Sequence, residues 1–168
     1  DLKSFDRSEY ILRQLEDIHS THAQNAKRVL VYCQPVYNLR TGKYDTAEAL
    51  MRLQNDELGI VFLDQFIPLA EENGYIHTLT EIILNKTCRT LHSLISEGYE
   101  ITRISVNVSV MELRDSGCCG DIRRIIDANN VDSSRIAIEL TESRNESDFI
   151  LMKERIEELR KNGIDIYL

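Results

Sequence analysis

Two periods alternate along this chain, and that alternation limits its fold more than any single residue does. Segments with apolar side chains at every second position are separated by longer stretches with apolar side chains three and four residues apart. The first pattern is that of a half-buried strand and the second that of an amphipathic helix. Residues 29–37, rich in branched and aromatic types, read as a strand ending near Pro35. Residues 38–43, with Gly42, supply a turn, and a second extended run continues through Arg52, so this first pair should be antiparallel. From Asp64 the period becomes helical through Phe66, Ile67, Leu69 and Ala70, with Asn73-Gly74 as a stop. A longer helix then carries Ile76, Leu79, Ile82, Ile83, Cys88, Leu91, Leu94 and Ile95 up to Gly98. A strand over 101–109, a helix over 120–128, a strand over 135–141, a helix over 146–161 and a strand over 164–168 follow. Strands and helices in this order imply βαβ units around a parallel sheet.

Residues 1–28 read as a helical lead-in. Asp6 and Glu9 resemble a capping pair, and Ile11, Leu15, Ile18 and His22 share one face. Such a helix packs on its own domain, links to an upstream domain, or does both. The remainder, 29–168, reads as one domain.

At 168 residues the chain can bury a core, and 20 basic against 28 acidic residues, a formal charge of -8, argue against a groove for DNA or RNA polymers. No run approaches the ~18 apolar residues of a membrane span, and the first residues lack the layout of a signal peptide, so a cytoplasmic location is expected. Cys33, Cys88, Cys118 and Cys119 show no C-x-x-C spacing and are read as reduced thiols. A zinc site between the adjacent Cys118 and Cys119 and the scattered His19, His22, His77 and His92 is not expected.

The polar residues on the strands are the candidates for chemistry. In the run 46–52, alternation puts Ala47, Ala49 and Met51 on one face and Glu48, Leu50 and Arg52 on the other. Likewise Ile104, Val106 and Val108 oppose Ser105, Asn107 and Ser109, and Ile136, Ile138 and Leu140 oppose Ala137, Glu139 and Thr141. If the apolar faces take the helices, Glu48, Arg52, Asn107 and Glu139 point into an interior that barrels of this type normally fill with branched apolar side chains. A buried polar group without a partner costs about 1–3 kcal/mol, and a lone charge more. Taken singly, each has a plain structural role: Glu48 pairs with Arg52, and Asn107 bonds nearby backbone. Their recurrence on successive strands points instead to a hard-oxygen site for magnesium, manganese or calcium, placed where barrel active sites lie, at the C-terminal ends of the strands.

Five ordered motifs then carry a resemblance: Gln34-Pro35-Val36, Glu48-Ala49-Leu50-Met51-Arg52, Phe66-Ile67-Pro68-Leu69-Ala70-Glu71, Ser105-Val106-Asn107-Val108-Ser109 and Glu139-Leu140-Thr141-Glu142-Ser143. Over about residues 28–168 the chain resembles the N-terminal part of an EAL domain, the cyclic di-GMP phosphodiesterase family of bacterial signalling. The resemblance implies a (β/α)8 TIM-barrel-like α/β fold with an antiparallel first strand, and hydrolysis of cyclic di-GMP to linear pGpG with two Mg2+ or Mn2+ ions. It implies Glu48, Asn107 and Glu139 as metal ligands, Glu48 being also catalytic. Arg52 would hold a ligand phosphate, Gln34 and Leu50 would line the ligand pocket, and Glu142 would anchor a loop that shapes a homodimer. The lead-in resembles the connection to an upstream sensor or cyclase-type domain.

Two departures stand out. Leu63 occupies a position where the family usually has proline, and the chain stops at Leu168, where the family continues into an acidic pair. With five strands and fewer than the ~250 residues of a typical barrel, the expectation is a truncated barrel, inactive by itself. The alternatives are a non-catalytic cyclic di-GMP receptor or protein-interaction module, and an α/β fragment without activity.

Overall fold

The computed structural model describes residues 2–22, 26–140 and 149–167. Helix α1 (Leu2–Thr21) leads into β1 (Val29–Asn38), β2 (Lys43–Asn55) and the short β3 (Gly59–Val61). Then come α2 (Leu63–Glu72), α3 (Ile76–Ser96), β4 (Arg103–Val108), α4 (Val110–Leu113), α5 (Cys118–Ala128), β5 (Ile136–Leu140), α6 (Phe149–Lys161) and β6 (Asp165–Tyr167). The strands form one mixed sheet in the order β1-β2-β4-β5-β6, with β3 added to β2. β1 runs antiparallel to β2, whereas β2, β4, β5 and β6 run parallel, and β4, β5 and β6 are each reached through a helical crossover. This is the expected α/β barrel-type topology with a reversed first strand.

Register follows from the apolar alternation. Ala47, Ala49, Met51 and Leu53 of β2, Ile104, Val106 and Val108 of β4, and Ile136, Ile138 and Leu140 of β5 are all buried. They pack with Leu79, Ile83, Leu91, Ile122 and Ile126 of the helices in one core. A slip of one residue would move each of these sets to the opposite face. The parallel pairing sets Glu48 opposite Ser105, and Asn107 opposite Glu139.

Several local expectations need correction. β1 does not end near Pro35 but runs to Asn38, with Pro35 paired to Ala47. At the outer position in the sheet, the missing N–H of proline breaks no ladder bond. Asp6 and Glu9 lie inside α1, which starts at Leu2. There are six strands among the described residues rather than five. The extra one, β3, is created by Asn55, whose Oδ1 accepts from the backbone N–H of Glu57 and Leu58 at 3.0 Å each and turns the chain. Gly59 completes that turn at φ 71°, a conformation that favours glycine. Ser109 is not a strand residue but the N-cap of α4, in a capping box with Glu112. The expected starts of the helix at 146 and the end of the last strand at Leu168 lie outside the described residues, as does Thr141.

α1 packs on the domain. Ile11, Leu15 and Ile18 are buried at 2%, 1% and 1% exposure. Gln14 donates to the Gln54 carbonyl and accepts from Asn55 Nδ2, both at 2.8 Å, so it ties the helix to the end of β2. His19 meets Thr78 Oγ1 at 2.7 Å. Leu15→Ala should therefore lower stability by about 2–5 kcal/mol, read as a lower urea midpoint at unchanged slope. A midpoint equal to that of the wild type would show α1 to be a detachable tether.

Candidate functional site

Glu48, Asn107 and Glu139 stand on one face of the sheet, on β2, β4 and β5. Asn107 and Glu139 are the next-to-last residues of their strands, whereas Glu48 lies mid-strand because β2 runs on to pair with β1 and β3. The Glu48 side chain closes this offset, and its Oε1 accepts a hydrogen bond of 2.8 Å from Asn107 Nδ2. With its amide nitrogen so engaged, Asn107 keeps its carbonyl oxygen as a donor to an ion. Glu139 Oε2 lies 3.5 Å from the Ser105 hydroxyl. Burial raises the Glu139 pKa above its ordinary value, the Glu48 carboxylate raises it further, and Ser105 opposes the shift. Neither carboxylate has a salt-bridge partner among the described residues.

The arginines of this face are engaged elsewhere. Arg52 does not pair with Glu48 in any ion pair among the described residues. It donates to the Met51 carbonyl at 2.8 Å, and its guanidinium carbon sits 4.7 Å from the Phe62 ring centroid. Such a stack holds a guanidinium flat and lightly hydrated, ready for an anion. Arg103 pairs with Asp165 and donates to the Tyr167 hydroxyl and the Ser134 carbonyl. Gln34 is exposed and lies opposite Glu48 in the β1/β2 register, so it shares that face, and Leu50 lies opposite Tyr32 on the same side. Glu142 lies outside the described residues.

A cavity of about 470 Å³ opens beside this array. Glu48 and Asn107 line it together with Asp64, Glu71, Ser109 and Glu112, and Met51, Ile67 and Ile83 provide apolar walls. Leu63, where the family usually has proline, is the first residue of α2 and lines the same cavity. Proline is favoured at that first helical position, so the exchange leaves the helix start intact. Glu71, Ser109 and Glu112 had no assigned role in the sequence reading. Glu71 accepts a hydrogen bond from the Ser109 hydroxyl, and Glu112 caps the same residue. Their one signal is the serine followed three residues later by glutamate.

His77 is not remote from the cysteines, since donor atoms of His77, Glu112 and Cys118 lie within 4.8 Å of one another. The packing of α3 against α5 makes this contact, and sequence spacing cannot show it. The four cysteines are free thiols.

The sheet is mixed and barrel-type with a reversed first strand, and one of its faces carries two carboxylates, without ion-pair partners among the described residues, beside one amide. The chain belongs to the EAL domain family, whose model matches residues 19–168. It is 28% identical over 154 residues to the bifunctional diguanylate cyclase/cyclic di-GMP phosphodiesterase MucR of Pseudomonas aeruginosa, covering 91% of this chain and 22% of that one. To the cyclic di-GMP phosphodiesterase NbdA of the same organism it is 31% identical over 132 residues, 77% of this chain and 17% of that one. The chain thus spans about a fifth of these curated relatives. Among solved structures it is similar to the MucR phosphodiesterase in complex with c-di-GMP, with a TM-score of 0.77 and 26% identity over 92% of this chain and 62% of that one. The FimX EAL domain of Xanthomonas citri, solved in complex with c-diGMP, matches in fold at a TM-score of 0.77 and 18% identity, over 99% of this chain and 62% of that one.

The Glu139 shift has a definite sign. The folded state holds this proton more tightly than the unfolded chain, so ionisation costs stability as pH rises from about 4.5 through the raised value. In chelator, Glu139→Gln should melt above the wild type at neutral pH. The two melting temperatures should approach each other as pH falls below about 4.5, and a gap that did not change with pH would contradict this origin.

Proposed function

We propose that the chain carries the metal-binding and phosphate-binding strands of a cyclic di-GMP-specific phosphodiesterase that yields linear pGpG. The observation that supports this most is the Glu48–Asn107–Glu139 array: two carboxylates and an amide on one face, with the available cations directed elsewhere. Such a donor set suits Mg2+ or Mn2+. Bound ions would screen the charge of the phosphodiester and favour in-line attack by water, the chemistry expected of a two-metal site.

The chain's own residues divide the work. Glu48, Asn107 and Glu139 would hold the ions. Arg52, stacked on Phe62, would take a non-bridging phosphate oxygen through its planar fork. Gln34 and Leu50, on the same face, would border the nucleotide. A bound cation would relieve the repulsion between Glu48 and Glu139. The relatives named for this activity are much longer than the chain, and the proposal includes a lead-in over 1–28 that joins an upstream sensor or cyclase-type domain and an EAL domain from 29 on. Action in the cytoplasm and as a homodimer belongs to the same proposal. No helix among the described residues is long and apolar enough to cross a membrane.

The test uses the full-length protein with cyclic di-GMP, and chromatography of the product. Mg2+ or Mn2+ should support formation of the linear dinucleotide and chelator should abolish it. Glu48→Gln, Asn107→Ala and Glu139→Gln should each reduce turnover by more than about 100-fold, beyond the loss typical of outer-shell partners of a metal. Arg52→Ala should weaken ligand binding about 10- to 100-fold, as fits loss of a hydrogen bond to a charged group. Binding without turnover would identify a receptor, and absence of both would overturn the assignment.

A further inference from the structure

Away from the sheet face, three helices bring a different donor set together. His77 is in the first turn of α3, Glu112 is in α4 and Cys118 begins α5. Glu112 is the decisive residue. Its side chain is 1% exposed. Oε2 is satisfied, accepting from the Thr80 hydroxyl at 2.8 Å and the Ser109 backbone N–H at 3.3 Å. Oε1 is buried without a hydrogen-bond partner and meets the His77 imidazole at 3.6 Å, an ion-pair contact that raises the His77 pKa, so an ion taking both groups would displace a proton from His77. The buried Cys118 thiol completes a group whose donor atoms lie within 4.8 Å of one another.

We propose that His77 Nδ1, Glu112 Oε1 and Cys118 Sγ form a site for one borderline divalent cation of the zinc class. Nitrogen, oxygen and sulfur donors from three residues are the ligand types zinc takes, with water or another donor in the fourth position. They differ from the all-oxygen set on the sheet, so the two sites would sort cations by softness.

The surroundings match what ligands to such a cation need. A metal-bound histidine usually donates its second ring N–H to a carboxylate, and His77 Nε2 faces Asp121 Oδ2 at 3.4 Å and Glu81 Oε1 at 3.9 Å. Arg124 in turn pairs with Asp121 at 2.9 Å and Glu81 at 3.5 Å, which fixes both acids. Glu112 is anchored through its other oxygen. His77 is 43% exposed and gives an entry path from solvent. In the absence of an ion, burial first and the Glu112 carboxylate next push the Cys118 thiol up to about 12. A cation would reverse this by taking the thiolate and releasing its proton to solvent. An ion held there would clamp α3, α4 and α5 to one another.

Cobalt is the probe, because a thiolate bound to Co2+ gives a charge-transfer absorption that oxygen ligands do not. The full-length protein, stripped of metal, reduced and kept in excess Mg2+, is titrated with Co2+ and then with Zn2+. The expected result is one thiolate-to-cobalt band per chain, bleached by Zn2+, lost in Cys118→Ser and unchanged in Cys33→Ser. His77→Ala, on a half-exposed residue, should weaken Co2+ binding by at least about 100-fold with unaltered far-ultraviolet circular dichroism. That variant decides the matter if Cys118→Ser fails to fold. No thiolate band in the folded wild type, a band that survives in Cys118→Ser, or full affinity in His77→Ala would overturn the site. Because the readout is a thiolate band, it is independent of cyclic di-GMP hydrolysis.

Discussion

Two carboxylates on one sheet face repel each other, and no cation among the described residues stands between them. Burial first, and the Glu48 carboxylate next, raise the Glu139 pKa; the Asn107 amide bonds Glu48, and the Ser105 hydroxyl approaches Glu139. This arrangement persists because the opposite face of the same strands is rigidly specified. Ile104, Val106, Ile136 and Ile138 show no exposure at all, and apolar surface removed from water contributes about 25 cal/mol per Å². The reverse face thus sets the register, and the register decides where the acids point. Turning Glu48 away would cost the burial of Ala47, Ala49 and Met51 together.

The same face shows how charge stays available for a ligand. Arg103 could neutralise an acid of the site, but it lies at the level of Thr46 in the register and is drawn to Asp165 at the lower end of the sheet. Arg52 lies on the Glu48 strand, yet it is held against Phe62. Had either met Glu48 directly, a closed internal ion pair would have formed, and a buried ion pair contributes little to stability. The aromatic stack instead leaves the guanidinium oriented and its charge unspent.

Much of this was legible in the sequence, because period-two alternation states directly which residues share a face. Glu48, Asn107 and Glu139 could be placed on one side of the sheet from Ala47, Val106 and Ile138 on the other. Short elements were not legible: β3 has three residues and α4 has four, too few for a period to show. Pro35 was misread because whether a proline ends a strand depends on whether its neighbour on that side is another strand or solvent. The axial level of Glu48 was equally hidden, since the length by which β2 outruns β4 is set by its pairing with β1 and β3. The meeting of His77 with Cys118 depends on how α3 crosses α5, which only tertiary packing decides.

Ser109 shows how closely the sheet site and its helical surroundings depend on each other. It follows Asn107 by two residues, donates its hydroxyl proton to Glu71 of α2, accepts from the Met111 backbone N–H, and gives its own N–H to Glu112. The strand therefore ends where these bonds stop it, and the position of the Asn107 amide follows from that ending. Glu112 accepts through Oε2 from Ser109, while its Oε1 makes no hydrogen bond and meets the His77 imidazole at 3.6 Å. A buried carboxylate with one oxygen left without a hydrogen bond is costly, and a hydrophobic residue at that position could not cap α4. The acid is thus required by the turn that positions Asn107, and its second oxygen is the consequence that the His77 and Cys118 side chains surround.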